Sequence, residues 1–376
     1  MVARKFPIKD SPEFKDIKAR YEIGELDKWQ IAEMFNATPL GAKQWLSNSQ
    51  IYRKPQPLGA IPEEQPEPQI ILPSIKLREY KPKKTRRGDE ETALFHAGDG
   101  HAGKVTISFD EVVYGQRMDT TFDSIMTLVT LHRNMYPINT LRIVNTGDNI
   151  QGESPYQGSK VGTIKVGARD QVIKIAYPAW VKLIGSLRQE FAEIVFDGFG
   201  GNHGYEKLAP ETSREDFRLY DLLQTYFGNT KGITINIHEN FGEVIDIMGF
   251  RFFCTHFDGI PCQQGIPLFG IDKALKSWYM QFGGFNYALG GHFHKWHYDE
   301  VSSRLEYYMV STLASDDEWA LKKLKISSSP SQNLFGVHPT MGLTWKYRLI
   351  VDRKFLMEKL PDVYGKEEQN ERTNNI

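Results

Sequence analysis

The chain of 376 residues has two cysteines, no long apolar run and almost no net charge. Cys254 and Cys262 lie eight positions apart, too few and too close to staple a disulfide framework, and no CxxC pair accompanies them. Both read as reduced thiols in a cytoplasmic setting. No stretch approaches the roughly 18 apolar residues of a membrane span. The opening MVARKFPIKDSPEFKDIK has no apolar segment of the signal-peptide kind. These absences predict a protein that stays where it is made and has no membrane partner. Scarcity of apolar residues is not among them: 40% hydrophobic and 12% aromatic residues exclude a wholly disordered chain, and the length suits two or three domains.

The near-balance of charge, 46 Lys and Arg against 47 Asp and Glu, conceals a split. Residues 1–88 hold 17 basic and 11 acidic residues, the remainder 29 and 36. The first part suits a polyanionic partner and the second suits cations.

Within residues 1–52, Ile31, Met34, Phe35, Ala42, Trp45 and Leu46 recur at helical spacing on either side of a break. Thr38 is an N-cap type, Pro39 suits a first helical position, and Asn36 suits a left-handed turn. This segment resembles a DNA-binding helix-turn-helix. The resemblance implies that the second helix turns Lys43 and Gln44, with Leu40, Gly41 and Asn48, toward DNA. The same pattern also suits a helical hairpin that binds protein.

Residues 53–90 form a linker: positions 53–88 carry seven of the 19 prolines. Its basic run includes Lys83, Lys84, Arg86 and Arg87, suited to a phosphate backbone. IILPSIKL within it could pair as an edge strand.

From residue 91 to about 360, short apolar strands alternate with amphipathic helices, which predicts a layered α/β domain. Expected strands are Leu94–Ala97, Thr140–Asn145, Ile194–Phe199, Ile233–Ile237, Val244–Met248, Phe252–Thr255, Tyr287–Leu289 and Leu305–Val310. Expected helices are 119–135, 168–191, 213–227 and 270–282, the third opened by a capping-box-like Ser213 and Asp216. Residues 361–376 read as a polar tail.

Five polar clusters follow these strands: GDGHAG after Ala97, GDNIQGE after Thr146, GNHG after Gly200, THFDG after Cys254 and GHFH after Gly290. Strand ends are where open α/β sheets gather ligand-binding groups, and Asp, Asn and His together suit a divalent transition metal. The accompanying glycines suit positive φ angles and crowded side chains.

In order and local spacing the clusters resemble the calcineurin-like metallophosphoesterases, over roughly residues 92–311. Among their branches, the repair exonucleases are nearest in kind. The resemblance implies a β-sandwich flanked by helices and two metal ions, manganese first, with magnesium, zinc or iron as alternatives. It places Asp99, His101, Asp148 and His294 on one ion and Asp148, Asn202, His256 and His292 on the other. His203 is then the uncoordinated histidine facing the scissile phosphate. Gly204 stands where the family usually has an acid, and Phe257-Asp258 replaces the common Gly-His, which leaves Asp258 as a substitute for His256. The Gly-rich loop after Gly152 offers Lys160, Lys165 and Arg169 to a nucleic-acid backbone and Tyr156 to a base, or is an ordinary surface loop. His96, His132, His238, His297 and His338 lack the glycine and strand-end context and are expected to pack or lie at the surface.

The expectation is a DNA phosphodiesterase, cutting internally or from an end, with a homodimer compatible with the resemblance. A phosphomonoesterase or small-molecule phosphodiesterase with a protein-binding first module, and a non-catalytic DNA-binding protein, are the alternatives.

Overall fold

The computed structural model describes residues 6–22, 25–26, 28–37, 39–49, 51, 72–73, 80, 89–153, 162–205, 210–261, 267–315 and 329–352. The chain divides into two compact units, Met1–Gln69 and Ile70–Ile376. Among the described residues no helix is long and apolar enough to cross a membrane.

The first unit holds three short helices, α1 (Pro12–Glu22), α2 (Lys28–Met34) and α3 (Pro39–Asn48). Ser11 caps α1 by accepting from the Phe14 N–H at 3.1 Å. Phe14, Ile17, Ile31, Phe35, Ala42 and Leu46 are buried together, and Trp45 stacks on Phe6 at 5.2 Å. Asn36 takes the left-handed φ of 50° expected at the turn. Met34, expected in this core, is 41% exposed, because the two turns of α2 bury a single stripe, on which Ile31 and Ala32 lie. Thr38 lies outside the described residues.

Among its described residues the second unit contains two sheets and five α-helical segments. One sheet has the order β11-β10-β1-β2-β3-β4, with β1 (Thr92–Ala97), β2 (Thr140–Asn145), β3 (Glu193–Phe199) and β4 (Ile233–His238) parallel. β10 (Ser331–His338) and β11 (Gly342–Ile350) extend it antiparallel. The other has the order β5-β6-β7-β9-β8, from β5 (Gly242–Ile247), β6 (Phe250–Thr255), β7 (Tyr287–Gly290), β8 (His297–Ser302) and β9 (Leu305–Met309). Period-two alternation divides the side chains between layers. On β1, Ala93, Phe95 and Ala97 face the helix-side core, whereas Leu94 joins Val144, Phe252, Cys254 and Leu289 between the sheets. The architecture is a two-sheet α/β sandwich flanked by helices, as the resemblance implies.

Helix α4 (Glu111–His132) begins eight residues before its expected start, where Asp110 accepts from the N–H groups of Val112 and Val113 at 3.0 Å. The helix expected over 168–191 is not continuous: α5 (Ala168–Asp170), a π-helical stretch (Gln171–Ala176) and α6 (Tyr177–Leu187) follow one another. Pro178 has no N–H to give, and the Tyr177 N–H reaches back five residues to the Val172 carbonyl. α7 (Glu215–Phe227) is capped by neither Ser213 nor Asp216: Arg214 is its N-cap residue, without a side-chain cap bond. α8 (Leu268–Gln281) covers the second sheet through Ile271 and Leu275. The expected strands all form, whereas β8, β10 and β11 lie outside them. β10 is buried along its whole length and has no polar alternation to mark it. The 70–77 segment and Cys262 fall mostly or wholly outside the described residues.

Candidate metal centre

The loops leaving β1, β2, β3, β6 and β7 meet at the carboxyl ends of those strands. They bring together Asp99 and His101, Asp148, Asn202 and His203, His256, and His292 and His294. Among these groups Asp99, His101 and His294 converge to within 4.8 Å in their ligand atoms, as do His101, Asp148 and His203, and Asp148, His256 and His292.

The backbone that delivers them is strained. Asp99, His101, Asp148, His292 and His294 have φ of 50°, 47°, 54°, 72° and 54°, in the left-handed region that non-glycine residues avoid. The sequence places that burden on the glycines, and Gly147 does take a φ of 92°. Elsewhere the glycines supply room: a Cβ on Gly201 would lie 2.1 Å from Asp148 Oδ1, and one on Gly291 would lie 2.3 Å from Asp99 Oδ2.

On one side of the centre, His101 Nε2 and His294 Nε2 are 2.8 Å apart, with Asp99 Oδ1 at 3.8 and 3.6 Å from them. Both Asp99 oxygens accept from the His292 N–H, at 3.1 and 2.9 Å. On the other side, His256 Nε2 is 2.9 Å from Asp148 Oδ2 and 3.1 Å from Asn202 Oδ1, and His292 Nδ1 is 2.7 Å from the same Asn202 oxygen. The Thr146 carbonyl, 2.7 Å from His256 Nδ1, accepts its N–H and turns Nε2 toward Asp148. His203 Nδ1 is similarly 2.9 Å from the Gln151 carbonyl, with Nε2 3.9 Å from Asp148 Oδ2. That carbonyl orients His203 where Gly204 provides no acid.

The electrostatics follow from burial. Burial drives His101 and His294 well below the usual histidine range, and the neighbouring His203 and Lys104 add to it. His203 and His292 are also lowered, chiefly by burial. Burial lowers His256 too, but Asp148 outweighs it and lifts this histidine to about 10. Burial pushes Asp148 up, and His256 and His203 more than reverse it. Asp99, buried beside Asp148, is raised.

Seven crowded donors that mix carboxylate and amide oxygens with imidazole nitrogens suit divalent transition ions. The buried His101 Nδ1 and His294 Nδ1 have no hydrogen-bond partner among the described residues. Asp148 Oδ2 faces the His256 ring at 2.9 Å, a placement that suits an oxygen shared with an ion. Asp258 is not among the converging groups, although its charge raises His256 and His292.

Two contributors escape the motif pattern. The buried Asp216 carboxylate accepts from the N–H groups of Asp148 (3.1 Å), Asn149 (2.9 Å) and Gly201 (2.8 Å) and from Asn149 Nδ2 (2.7 Å). It ties the loops after β2 and β3 to α7. Its signal in the sequence is a carboxylate on the apolar stripe of a helix, at i, i+3, i+4 and i+7 with Leu219, Tyr220 and Leu223, all buried. Lys104 is buried three residues after His101 and brings a positive charge close to three of the histidines.

The remaining sequence-singled residues lie elsewhere. Lys43 and Gln44 are exposed on α3. Lys165 is exposed and 3.0 Å from Glu111, and Arg169 is exposed and 3.7 Å from Asp170. Lys83, Lys84, Arg86, Arg87, Tyr156 and Lys160 lie outside the described residues. His96 is buried near Thr146 and Asn333, His132 stacks on Trp345, His238 stacks on Phe199, His297 lies beside Tyr307 and His338 beside Tyr136.

No protein-family model matches this sequence, and no curated protein sequence matches it. Among solved structures, an archaeal phosphodiesterase is similar at 12% identity and TM-score 0.31, over 68% of this chain and 99% of its own. Zn²⁺-complexed Vps29 from Entamoeba histolytica is similar at 13% identity and TM-score 0.29, over 68% of this chain and 99% of its own. A 5'-nucleotidase from Candida albicans is similar at 11% identity and TM-score 0.32, over 69% of this chain and 48% of its own.

Proposed function

We propose that this chain is a metal-dependent phosphodiesterase that hydrolyses DNA. The observation that carries the reading is the convergence of Asp99, His101, Asp148, Asn202, His256, His292 and His294 around Asp148, with His203 beside it. Asp99, His101, Asp148 and His294 would hold one divalent ion, and Asp148, Asn202, His256 and His292 a second, manganese being the first choice. Two such ions, when bound, supply Lewis acidity and charge neutralisation for in-line displacement at phosphorus.

The chain's own groups account for the rest. Asp148 stands between the two groups: its Oδ1 is fixed by the His203 N–H at 2.7 Å, and its Oδ2 is directed at His256 Nε2. Asn202 adds a neutral oxygen, which limits the negative charge an incoming phosphodiester meets. His203 gives its Nδ1–H to the Gln151 carbonyl; in the imidazolium form its Nε2–H is the proton taken by the leaving oxygen, and the ring is left neutral. Lys104 adds positive charge beside these imidazoles, which favours an anionic substrate.

DNA as the substrate is supported by the basic balance of residues 1–88 and by exposed Lys43 and Gln44 on α3. The test is hydrolysis of end-labelled single- and double-stranded DNA, bis-p-nitrophenyl phosphate and p-nitrophenyl phosphate, with Mn²⁺, Mg²⁺ or chelator. The expected result is metal-dependent cleavage of DNA, reduced roughly 10³-fold or more by Asp148→Asn. Turnover of p-nitrophenyl phosphate alone would replace the reading with a phosphomonoesterase. DNA binding without metal-stimulated turnover would leave a non-catalytic DNA-binding protein.

A further inference from the structure

Beside the metal centre lies a second concavity of about 240 Å³. Its walls are the start of α7 (Arg214, Phe217), the β4–β5 turn (Glu239, Asn240, Phe241) and Asp258. It adjoins the centre through three short links. Gly200 in its wall precedes Asn202 by two residues, Asp258 follows His256 by two, and Arg214 donates to the Gly201 carbonyl. The charge of Asp258 is felt by both His256 and His292. Pockets that take whole small ligands are about 300–1,000 Å³, so this one suits a part of a substrate whose remainder lies on the metal centre.

Its chemistry says which part. Phe241 is 51% exposed, a costly disposition for an aromatic ring, yet it is held firmly. Trp278 and Phe282 pack against it with centroids at 5.8 and 5.9 Å. Thr255 Oγ1 donates to its carbonyl at 2.6 Å, and His238 joins Glu243 across the same turn at 2.9 Å. The result is a rigid ring with an open face. Around it stand two carboxylates, Glu239 and Asp258, the Asn240 amide and Arg214, whose guanidinium donates to the Gly201 carbonyl and lies over the Tyr205 ring. Two carboxylates against one guanidinium leave the lining net negative, which disfavours a phosphodiester. The carboxylates accept hydrogen bonds from amino and ring N–H donors, and the ring stacks on a flat partner.

We propose that this cavity is a nucleobase subsite: it takes the base next to the scissile phosphate, stacked on Phe241, and favours donor-rich guanine over thymine through Glu239 and Asp258. This rests on the phosphodiester reading of the adjoining centre.

The test compares kcat/KM in Mn²⁺ for the p-nitrophenyl esters of dGMP and dTMP and for methyl p-nitrophenyl phosphate, which has the same leaving group and no base. The guanine ester is expected to exceed the thymine ester by roughly tenfold, and Phe241→Ala to lower both nucleotide esters by roughly tenfold or more without changing the methyl ester. Glu239→Gln should narrow the guanine preference. Equal loss on all three esters, no loss on any, or no guanine preference would overturn the proposal. Deoxyguanosine, which has no phosphate, is titrated separately by saturation-transfer NMR. Binding to the wild type and not to Phe241→Ala supports the subsite even where none of the esters is hydrolysed, an outcome that would remove the phosphodiesterase reading alone. Absence of deoxyguanosine binding overturns the subsite.

Discussion

The two sides of the metal centre are built on different principles. His256 is oriented before any ion arrives: the Thr146 carbonyl fixes one nitrogen, and Asp148 and Asn202 occupy the other. His101 and His294 instead point their Nε2 atoms at each other from left-handed turns, and their Nδ1 atoms are buried without a partner. The His256 side is satisfied as protein. On the His101–His294 side two Nε2 nitrogens crowd each other and two Nδ1 nitrogens are desolvated without a partner, a cost that a cation between the Nε2 atoms would offset in part.

His203 belongs to neither side, so its removal separates chemistry from metal retention. His203→Ala should lower kcat on DNA by roughly 10²–10⁴-fold. Bound metal, counted by atomic emission after gel filtration, should stay at the wild-type level; loss of metal would instead make His203 a ligand. Asp216→Asn tests what holds the sides in register, since the carboxylate collects N–H groups from both loops around Asp148. A fall in kcat of roughly 10–100-fold is expected, with the far-ultraviolet circular dichroism unchanged. An unchanged kcat would mean the loops hold themselves.

The comparison itself is sharpened by stability without metal. His294→Leu removes an unsatisfied buried group and should leave the chelated protein as stable as the wild type or more so. His256→Leu strands Asp148 and should cost about 1–3 kcal/mol in urea titrations. Added Mn²⁺ should raise the wild-type midpoint more than that of His294→Leu. Equal effects of the two substitutions would erase the distinction.

The smallest effect lies away from the centre. Asp197 is buried with Arg142, Asn236 and His238. Burial raises its pKa, but the His238 hydrogen bond and Arg142 more than offset this and lower it. Its folded pKa is thus below the unfolded one. The stability it contributes is present above the ordinary carboxylate pKa and lost as pH falls through its folded value. His238 is raised by Asp197 and Glu243 against burial. Its contribution is present below the ordinary histidine pKa and lost as pH rises through its folded value. Asp197→Asn should therefore flatten stability against pH at both the acid and the near-neutral ends, read by urea midpoints from pH 3 to 8. A curve parallel to the wild type would contradict the pairing.

Much of this was legible because strand ends and chemistry coincide. Asp99, Asp148, Asn202, His256 and His292 each follow a short apolar run, and local spacing alone brings out the clusters. Asp216 was not, because its partners are backbone N–H groups 15 and more residues away, and a backbone donor has no signature in sequence. Ser213 and Asp216 have the spacing of a cap, yet Asp216 turns inward, where three loop N–H groups outcompete its own helix terminus. β10 was missed for a related reason: Ser331, Gln332 and Asn333 are polar, yet all three are buried, with Gln332 bonded to Gly98 N and the Ser311 carbonyl.

The π-helical stretch Gln171–Ala176 has a further consequence. Gln171 accepts from the Gly152 N–H at 2.9 Å and donates to the Gly152 and Val166 carbonyls at 3.2 and 2.9 Å, closing the loop that leaves Asp148. Deleting one residue from the stretch would restore an α-helix and rotate Gln171 by about 100° relative to α6, off all three partners. Residue count thus matters here alongside residue identity: with Gln171 kept, other side chains of the stretch can change and the loop stays closed, but one deleted residue opens it.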